Sequence, residues 1–312
     1  MDEIRHVVIV GAGAMGCLFA ARMMEAGALV TLVDTDLRRL ADIERLGLEL
    51  HDDAGTRTLR PRTARAEDIS GPVDLVVLFT KGLHSAAAVR SVAHLARLEP
   101  VALSLQNGLG NAEILAETFG AGRVLKGTAH VPADLHPPNQ VLSHGFSQAD
   151  LGGHVPAAHA LAPRVAQLLS RGGFAVEVRE DIEAAVWAKL AFNAALNAMA
   201  MISGSCNAAM NNPPGKRIAA AVVRETVAVA AAAGLRLDSS GINETVLKAL
   251  AGHPAHKASM LQDREAARRT EIQSINGAIV RAGERYGVAT PVNATLTDLV
   301  LVIEAALAAP TP

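Results

Sequence analysis

The stretch "HVVIVGAGAMG", residues 6 to 16, places a glycine-rich turn directly after a run of β-branched residues. Residues 6 to 10 predict a buried strand, and residues from about 15 to 25 predict a helix. A strand, a G-x-G-x-x-G turn and a helix in this order are typical of a dinucleotide-binding unit. The stretch therefore predicts a parallel α/β domain at the start of the chain.

Each glycine of the turn has a predicted role. Gly11 allows the tight turn, Gly13 lets the backbone approach a pyrophosphate, and Gly16 allows the helix to pack closely on the strand. The N–H groups and the positive dipole end of the helix favour phosphate groups. The predicted cofactor-binding residues of this turn are Gly11, Gly13, Ala14, Met15 and Gly16.

Asp34 ends the second predicted strand, "LVTLVD" (29–34). A carboxylate at this place can accept both hydroxyls of the adenosine ribose and repels a 2′-phosphate, which favours NAD over NADP. Arg38 and Arg39 follow closely, and an arginine can bind a 2′-phosphate. The cofactor is therefore predicted as NAD(P)H, with NAD favoured.

Short apolar strands continue to alternate with helices up to about residue 180. This pattern predicts a parallel sheet with helices on both faces. Lys81 and Asn107 follow the ends of two of these strands, where open α/β sheets bind ligands, and are candidate ligand contacts; a surface loop at Lys81 and a turn pair at Asn107 are the alternatives. Strands are predicted at 73–80, 101–106, 123–131, 139–145 and 174–180, and helices at 84–96 and 111–119.

Strand signals stop near residue 180. Helices are predicted at 181–203, 215–234, 265–287 and 291–307, so the chain divides into an α/β domain (1–180) and an all-α domain (181–312). The alanine-rich stretch 217–233 is apolar enough to form either core or a homodimer interface.

Composition excludes several classes of protein. Half of the 312 residues are hydrophobic, which indicates globular domains, and a net charge of −2 with 3% aromatics argues against nucleic-acid binding. Two distant cysteines predict neither a disulfide framework nor a metal site. The acidic N-terminal residues, followed by a strand, do not predict a signal peptide, and we expect no membrane span, because no apolar run reaches ~18 residues. We therefore expect a cytoplasmic protein. The densest basic run of the sequence, residues 57–65, is predicted to be a solvated loop.

A predicted helix carries a polar stripe within the otherwise apolar stretch "AKLAFNAALN" (188–197). Lys189, Asn193 and Asn197 are four residues apart, so they lie on one face. Asparagine is a poor helix former, and the pair costs roughly 1 kcal/mol in propensity. The spacing favours a polar cleft lined by these side chains over an ordinary solvated face.

A second polar stretch runs from 256 to 280. Ser259 is predicted to precede a helix and to cap it or bind an anion, and Glu271 is predicted to lie within that helix.

Together these motifs resemble the ketopantoate reductase (2-dehydropantoate 2-reductase) family. The resemblance rests on GAGAMG, Lys81, "QNG" (106–108), "KLxxNxxxN" (189–197), "SMxQDxxxxRxTEIxxING" (259–277) and the tail "GVATPVNATL" (287–296). It implies a Rossmann-type N-terminal domain and an all-α C-terminal domain like that of 6-phosphogluconate dehydrogenase. It also implies NAD(P)H-dependent reduction of ketopantoate to (R)-pantoate in pantothenate biosynthesis.

The resemblance implies a role for each matching residue. Lys189 is the general acid, and Glu271 is the carboxylate near the substrate hydroxyl and the lysine. The implied substrate-binding residues are Asn193, Asn197, Ser259 and Asn207, and the implied cofactor contacts include Lys81 and Asn107.

The sequence departs from the family after Asn197. Asn207 is followed by Ala208 rather than glycine, and "HKASM" (256–260) replaces a doubled serine before methionine. The alternative is a related NAD-dependent D-2-hydroxyacid dehydrogenase that acts on another 2-keto acid. A nucleotide-binding sensor without turnover is a third hypothesis, against which Lys189 and Glu271 argue.

Overall fold

The computed structural model describes residues 3–308 and divides into two compact units. The first unit consists of the residues before Asn107 together with Asn111–Ile182. The second consists of Asn107–Gly110 and the chain from Glu183 onward.

The first unit alternates strands and helices. Its strands are β1 (His6–Val10), β2 (Leu29–Val33), β3 (Leu48–Asp52), β4 (Gly55–Leu59), β5 (Arg62–Ala64), β6 (Leu75–Leu78), β7 (Val101–Ser104), β8 (Val124–His130), β9 (Asp134–His136), β10 (Gln140–Ser143), β11 (Gln148–Gly153) and β12 (Ala175–Val178). Its helices are α1 (Ala14–Glu25), α2 (Leu37–Leu46), α3 (Ser85–Ser91), α4 (Asn111–Phe119) and α5 (Ala162–Arg171). The helix predicted at 84–96 is shorter, because 3₁₀ turns at Ala93–Leu98 follow α3.

The main sheet has the strand order β12-β11-β8-β7-β6-β1-β2-β5. The neighbouring strands β5, β2, β1, β6, β7 and β8 all pair in parallel. Strand β11 pairs antiparallel with β8. The order reverses between β1 and β6, which makes this the point where doubly wound sheets bind ligands. The glycine turn follows β1 at this point.

The central strand β1 is apolar on both faces. Val7 and Ile9 pack in one hydrophobic cluster with residues of α1 and α5, and Val8 and Val10 pack in another with residues of α3 and α4. Because successive side chains of a strand point to opposite faces, both faces of the sheet are covered by helices.

A second sheet has the order β4-β3-β10-β9. The basic run 57–65, predicted as a loop, instead contains the end of β4 and all of β5. Its Arg57 binds both carboxylate oxygens of Asp52 at 2.6 and 2.8 Å, and β5 pairs with β2. Arg22 of α1 also contacts Asp52, at 2.8 Å, so this ion cluster ties the second sheet to α1.

The ion cluster predicts acid sensitivity. Hydrogen bonds from Arg57, the Ala54 N–H and the charge of Arg22 lower the pKa of Asp52 to about 2. Because this pKa lies below the unfolded value of about 3.9, the cluster stabilises the fold fully above about pH 4 and loses this effect as the pH falls toward 2. We expect Asp52→Asn to lower the free energy of unfolding at pH 7 by roughly 2 kcal/mol.

Urea unfolding of the wild type and Asp52→Asn between pH 7 and pH 2 measures this contribution. The difference between the two proteins should shrink as the pH falls. Asp42→Asn is the control, because its pair with Arg45 is largely exposed. A difference that stays constant over the whole pH range would contradict the prediction.

The second unit is helical in its described part. Its helices are α6 (Ile182–Ser203), α7 (Asn207–Met210), α8 (Pro213–Ala232), α9 (Ser239–Gly252), α10 (Ser259–Glu265), α11 (Asn276–Tyr286) and α12 (Pro291–Ala308). Helix α6 lies at the centre and is buried from Leu190 to Met201 apart from Phe192. Its many alanines allow neighbouring helices to approach closely. The alanine-rich helix α8 contributes Val222, Val223 and Val229 to the same core.

The single helix predicted at 265–287 is wrong. The chain leaves α10 after Glu265, and α11 begins only at Asn276, so Glu271 lies in a non-helical segment. Ser259 is the first residue of α10 rather than a residue before a helix. Ala267 adopts a left-handed φ of 49°, which ends the helical path although the local residues are good helix formers.

By length and composition alone, α6 and α12 are apolar enough to cross a membrane. In α6, 61% of the most apolar window is buried within the protein, as in the core helix of a soluble domain; the value for α12 is 22%. Length and composition are weak evidence here, because core helices meet the same criteria.

Candidate active site

The glycine turn after β1 has room where a pyrophosphate needs it. A Cβ on Gly16 would lie 1.8 Å from the Gly11 oxygen, and a Cβ on Gly11 would lie 2.7 Å from the backbone of Phe79 and Thr80. A Cβ on Gly13 would meet nothing within 4 Å. Two glycines thus permit close backbone packing, and the third keeps an open approach at the start of α1, which fits a dinucleotide phosphate.

Asp34 fixes the same turn. Its carboxylate accepts hydrogen bonds from the Ala12 N–H at 2.7 Å and the Asp36 N–H at 2.9 Å. An ionised carboxylate has about four acceptor positions, so about two remain for the two hydroxyls of a ribose. Arg39 of α2 lies nearby, with Nη1 3.4 Å from the Ala12 oxygen and Nη2 3.4 Å from an Asp36 oxygen.

Cys17 lies in α1 behind the turn. It is fully buried, and its Sγ is 3.4 Å from the Ala12 oxygen. Burial raises the pKa of this thiol to about 12, so it stays protonated and acts as a small packing group.

A buried hydrogen-bond network orders the loop that carries Lys81. Gln106 donates from Nε2 to the Thr80 oxygen at 2.5 Å and to Ser85 Oγ at 3.0 Å, and it accepts from Ser104 Oγ at 2.9 Å. Thr80 is the residue directly before Lys81. Gln106, which follows β7, therefore holds the residues that follow the neighbouring strand β6. Lys81 itself is half-buried.

The polar stripe of α6 is buried. Asn193 is 9% exposed and Asn197 is 7% exposed, whereas Lys189 is half-buried. The alternative of an ordinary solvated face is therefore wrong for the two asparagines. Buried amides need hydrogen-bond partners, and both of these find them within the second unit.

Asn193 is joined to the predicted cofactor contact Asn107. Its Nδ2 donates to Asn107 Oδ1 at 3.2 Å. The next residues of that loop are fixed by Ser274, because the Leu109 N–H donates to the Ser274 oxygen at 3.1 Å. Gly108 has φ 88°, and a Cβ there would lie 2.2 Å from the Ser274 oxygen.

Asn197 is joined to the predicted substrate ligand Ser259. Its Nδ2 donates to Ser259 Oγ at 3.4 Å, and Ser259 is exposed at the start of α10. Asn207 is 1% exposed and donates from Nδ2 to the Ala249 oxygen at 3.0 Å. Its Oδ1 is buried and has no hydrogen-bond partner among the residues that the structure describes.

Glu271 lies half-buried in the segment between α10 and α11, which we call the glutamate turn (266–275). The turn is connected to α6, because Asn276, the first residue of α11, donates to the Ala194 oxygen at 3.1 Å. The same amide donates to Asn293 Oδ1 at 3.1 Å. Asn293 is in turn held by Glu225, whose carboxylate accepts from its N–H at 3.0 Å and its Nδ2 at 2.7 Å.

Hydrogen bonds join Asn193 with Asn107 and Asn197 with Ser259, so these predicted residues are direct neighbours. Sequence reasoning noted Gln106 in the QNG motif but assigned it no role, and it assigned none to the supporting residues Glu225, Asn276 and Asn293. An asparagine inside an apolar helical stretch was the available signal for the last two.

The second unit offers an ammonium, a carboxylate, amides and a hydroxyl. An ammonium stabilises and protonates an oxygen that gains negative charge, and amides and hydroxyls orient a small polar acid. The first unit offers a cradle for a dinucleotide. Reduction of a carbonyl group by a nicotinamide cofactor needs groups of both kinds.

Two family models match the chain. The model described as "Ketopantoate reductase PanE/ApbA" matches residues 7–155, and the one described as "Ketopantoate reductase PanE/ApbA C terminal" matches residues 181–304.

Similar proteins match over nearly the whole chain. The 2-dehydropantoate 2-reductase of Halobacterium salinarum is 33% identical over 95% of this chain and 97% of its own length. That of Archaeoglobus fulgidus is 32% identical over 98% of this chain and 100% of its own length. A solved structure of D-mandelate dehydrogenase with NADH and anilino(oxo)acetate is 28% identical, covers 97% of this chain and 100% of its own, and has a TM-score of 0.93.

Proposed function

The chain belongs to the ketopantoate reductase family, and on this premise we propose that it reduces 2-dehydropantoate (ketopantoate) to (R)-pantoate in pantothenate biosynthesis. The observation that carries the proposal is the buried stripe of α6, where Lys189 shares a face with two amides that bond to Asn107 and Ser259. We assign residues 1–180 to dinucleotide binding and 181–312 to substrate binding and catalysis.

Lys189 is the proposed general acid. When bound, a reduced nicotinamide would supply the hydride for the carbonyl carbon of the 2-keto acid. The electron pair of the C=O bond moves to oxygen, and the Lys189 ammonium transfers a proton to it, which yields the hydroxyl group. The neutral amine then regains a proton from water. Glu271 binds the hydroxyl that forms and keeps the ammonium oriented.

Substrate orientation is assigned to the amides and to Ser259. The Ser259 hydroxyl is exposed and can donate to the substrate carboxylate. Asn193 and Asn197 hold the carbonyl side of the acid, and the unpaired Oδ1 of Asn207 accepts from a substrate hydroxyl. Ketopantoate carries both a carboxylate and a terminal hydroxyl, so it matches this set of donors and acceptors.

NAD is the favoured cofactor. Asp34 retains acceptor positions for two ribose hydroxyls, and its negative charge repels a 2′-phosphate. The structure of D-mandelate dehydrogenase was solved with NADH. Arg39, beside the turn, is the group that would favour NADP instead.

The protein is proposed to act in the cytoplasm on a small 2-keto acid, without nucleic acid or membrane as a partner. A homodimer stays a prediction. Leu299 and Val302 are exposed on α12, at 44% and 66%, and offer apolar surface for association. Sedimentation velocity of the purified chain measures the oligomeric state.

Steady-state kinetics with a panel of 2-keto acids tests the proposed function. Ketopantoate, phenylglyoxylate and branched aliphatic keto acids would each be offered with NADH and with NADPH. We expect the highest kcat/KM for ketopantoate with NADH. A higher kcat/KM for an aromatic or branched acid would identify a D-2-hydroxyacid dehydrogenase instead. Tight cofactor binding without turnover of any acid would identify a nucleotide sensor.

A further inference from the structure

Glu304 on α12 binds the residue that precedes Glu271. Its Oε1 accepts hydrogen bonds from the Thr270 N–H at 2.7 Å and from Thr270 Oγ1 at 2.6 Å. The same hydroxyl oxygen accepts from the Ile272 N–H at 3.2 Å. One carboxylate thus fixes the backbone on both sides of Glu271.

The backbone of Glu271 binds the residues at the C-terminal end of the glutamate turn. Its carbonyl oxygen accepts from the N–H groups of Ser274 and Ile275 at 2.9 and 3.0 Å. Because the residues before and after Glu271 are both bonded, the direction in which its side chain leaves the backbone is fixed. The turn has no regular secondary structure of its own to do this.

The Glu304 carboxylate would destabilise α12 if it had no partner outside this helix. Its side chain is only 10% exposed, and it lies within the last turns of the helix, where the dipole disfavours an anion. A charge with so little exposure needs hydrogen-bond partners, and Thr270 provides two. Arg269 adds a long contact of 3.8 Å from an arginine that is 70% exposed.

We propose that Glu304 is a positioning residue for Glu271. It holds Thr270 so that the Glu271 carboxylate is presented in one orientation, and the benefit is preorganisation of the reacting site. The inference rests on the proposed function, which assigns a catalytic role to Glu271. Glu304 itself touches neither substrate nor cofactor in this scheme.

Variants of Glu304 are compared with a matched variant of the same helix. Glu304→Ala removes both hydrogen bonds to Thr270 and is expected to lower kcat by ~10-fold or more, because small displacements of a reacting group are costly. Glu304→Gln keeps an oxygen that accepts from Thr270 and should restore kcat to within about threefold of wild type. Val300→Ala is the control, because Val300 is fully buried in α12 and its apolar side chain cannot form a hydrogen bond.

Two further measurements separate positioning from general destabilisation. Hydrogen exchange of the peptide covering 268–276 should accelerate in Glu304→Ala and not in Val300→Ala, at temperatures well below both melting transitions. The pH profile of kcat should change in Glu304→Ala and stay that of wild type in Val300→Ala. Loss of kcat in Val300→Ala equal to that in Glu304→Ala would overturn the proposal.

Glu271→Gln distinguishes failure of this inference from failure of the proposed function. All variants are assayed with the keto acid and cofactor that give the highest kcat/KM. If Glu271→Gln lowers kcat while Glu304→Ala does not, positioning by Glu304 is wrong and the role of Glu271 stands. If Glu271→Gln retains wild-type kcat, the role assigned to Glu271 is wrong, and the positioning proposal fails with it.

Discussion

Replacing Lys189 with alanine is expected to lower kcat by on the order of 10²-fold or more, the usual scale of general acid catalysis. The alkoxide that forms on hydride transfer would then have neither a proton donor nor a nearby positive charge. Steady-state kcat at saturating keto acid and cofactor measures the loss. Cofactor affinity, measured by NADH fluorescence titration, should stay unchanged, because the glycine turn is untouched.

Two companion variants define what Lys189 contributes. Lys189→Arg keeps the positive charge but cannot release a proton at neutral pH, so its kcat should stay close to that of Lys189→Ala if proton transfer dominates. Small added amines should partly restore kcat in Lys189→Ala. Lys248→Ala, which changes an exposed lysine of α9, is the control and should have wild-type kcat. Near-normal kcat in Lys189→Ala would remove this residue from the mechanism.

Gly13→Ala is expected to raise the dissociation constant of NADH by ~10-fold or more without lowering the melting temperature. The backbone of Gly13 has φ −78°, which alanine adopts without strain, and its Cβ would meet no protein atom within 4 Å. The added methyl group would instead occupy space where the pyrophosphate must approach. A fluorescence titration and a thermal melt measure the two quantities.

The neighbouring glycine should respond differently. Gly16→Ala puts a methyl group 1.8 Å from the Gly11 oxygen, so the backbone must move and both cofactor affinity and melting temperature should fall. Gly122→Ala is the control in the same unit, because its Cβ meets nothing within 4 Å and it lies in another turn. Unchanged NADH affinity in Gly13→Ala would show that the pyrophosphate does not approach there.

The central fold was predictable because its signals are local. The alternation of apolar strands and helices, and glycines at the end of β1, identify a doubly wound sheet from short windows of sequence. Of the second sheet, the sequence predicted β10 as the strand at 139–145, but it did not predict β3, β4 or β9. Strands β3 and β4 are rich in charged and threonine residues, and they are held by distant partners such as the cluster of Arg22, Asp52 and Arg57.

The site was predictable where side chains share a helix and not where they depend on another element. Spacing alone placed Lys189, Asn193 and Asn197 on one face. The glutamate turn was misread as helix because its residues are good helix formers, whereas Glu304, more than thirty positions away, holds Thr270 outside a helix. Hydrogen bonds between distant segments leave no periodic trace in the sequence.

The hydrogen bonds that α12 makes to the glutamate turn and to α11 have a consequence for the order in which the protein folds during synthesis. The ribosome makes α12 after the glutamate turn and α11, yet Glu304 fixes the glutamate turn and Asn293 fixes the start of α11. The dinucleotide-binding half of the chain can fold while translation continues, since domains fold largely from the N-terminus. We expect the proposed site to stay incomplete until α12 has left the exit tunnel. A nascent chain stalled before α12 would therefore hold cofactor without turning over substrate.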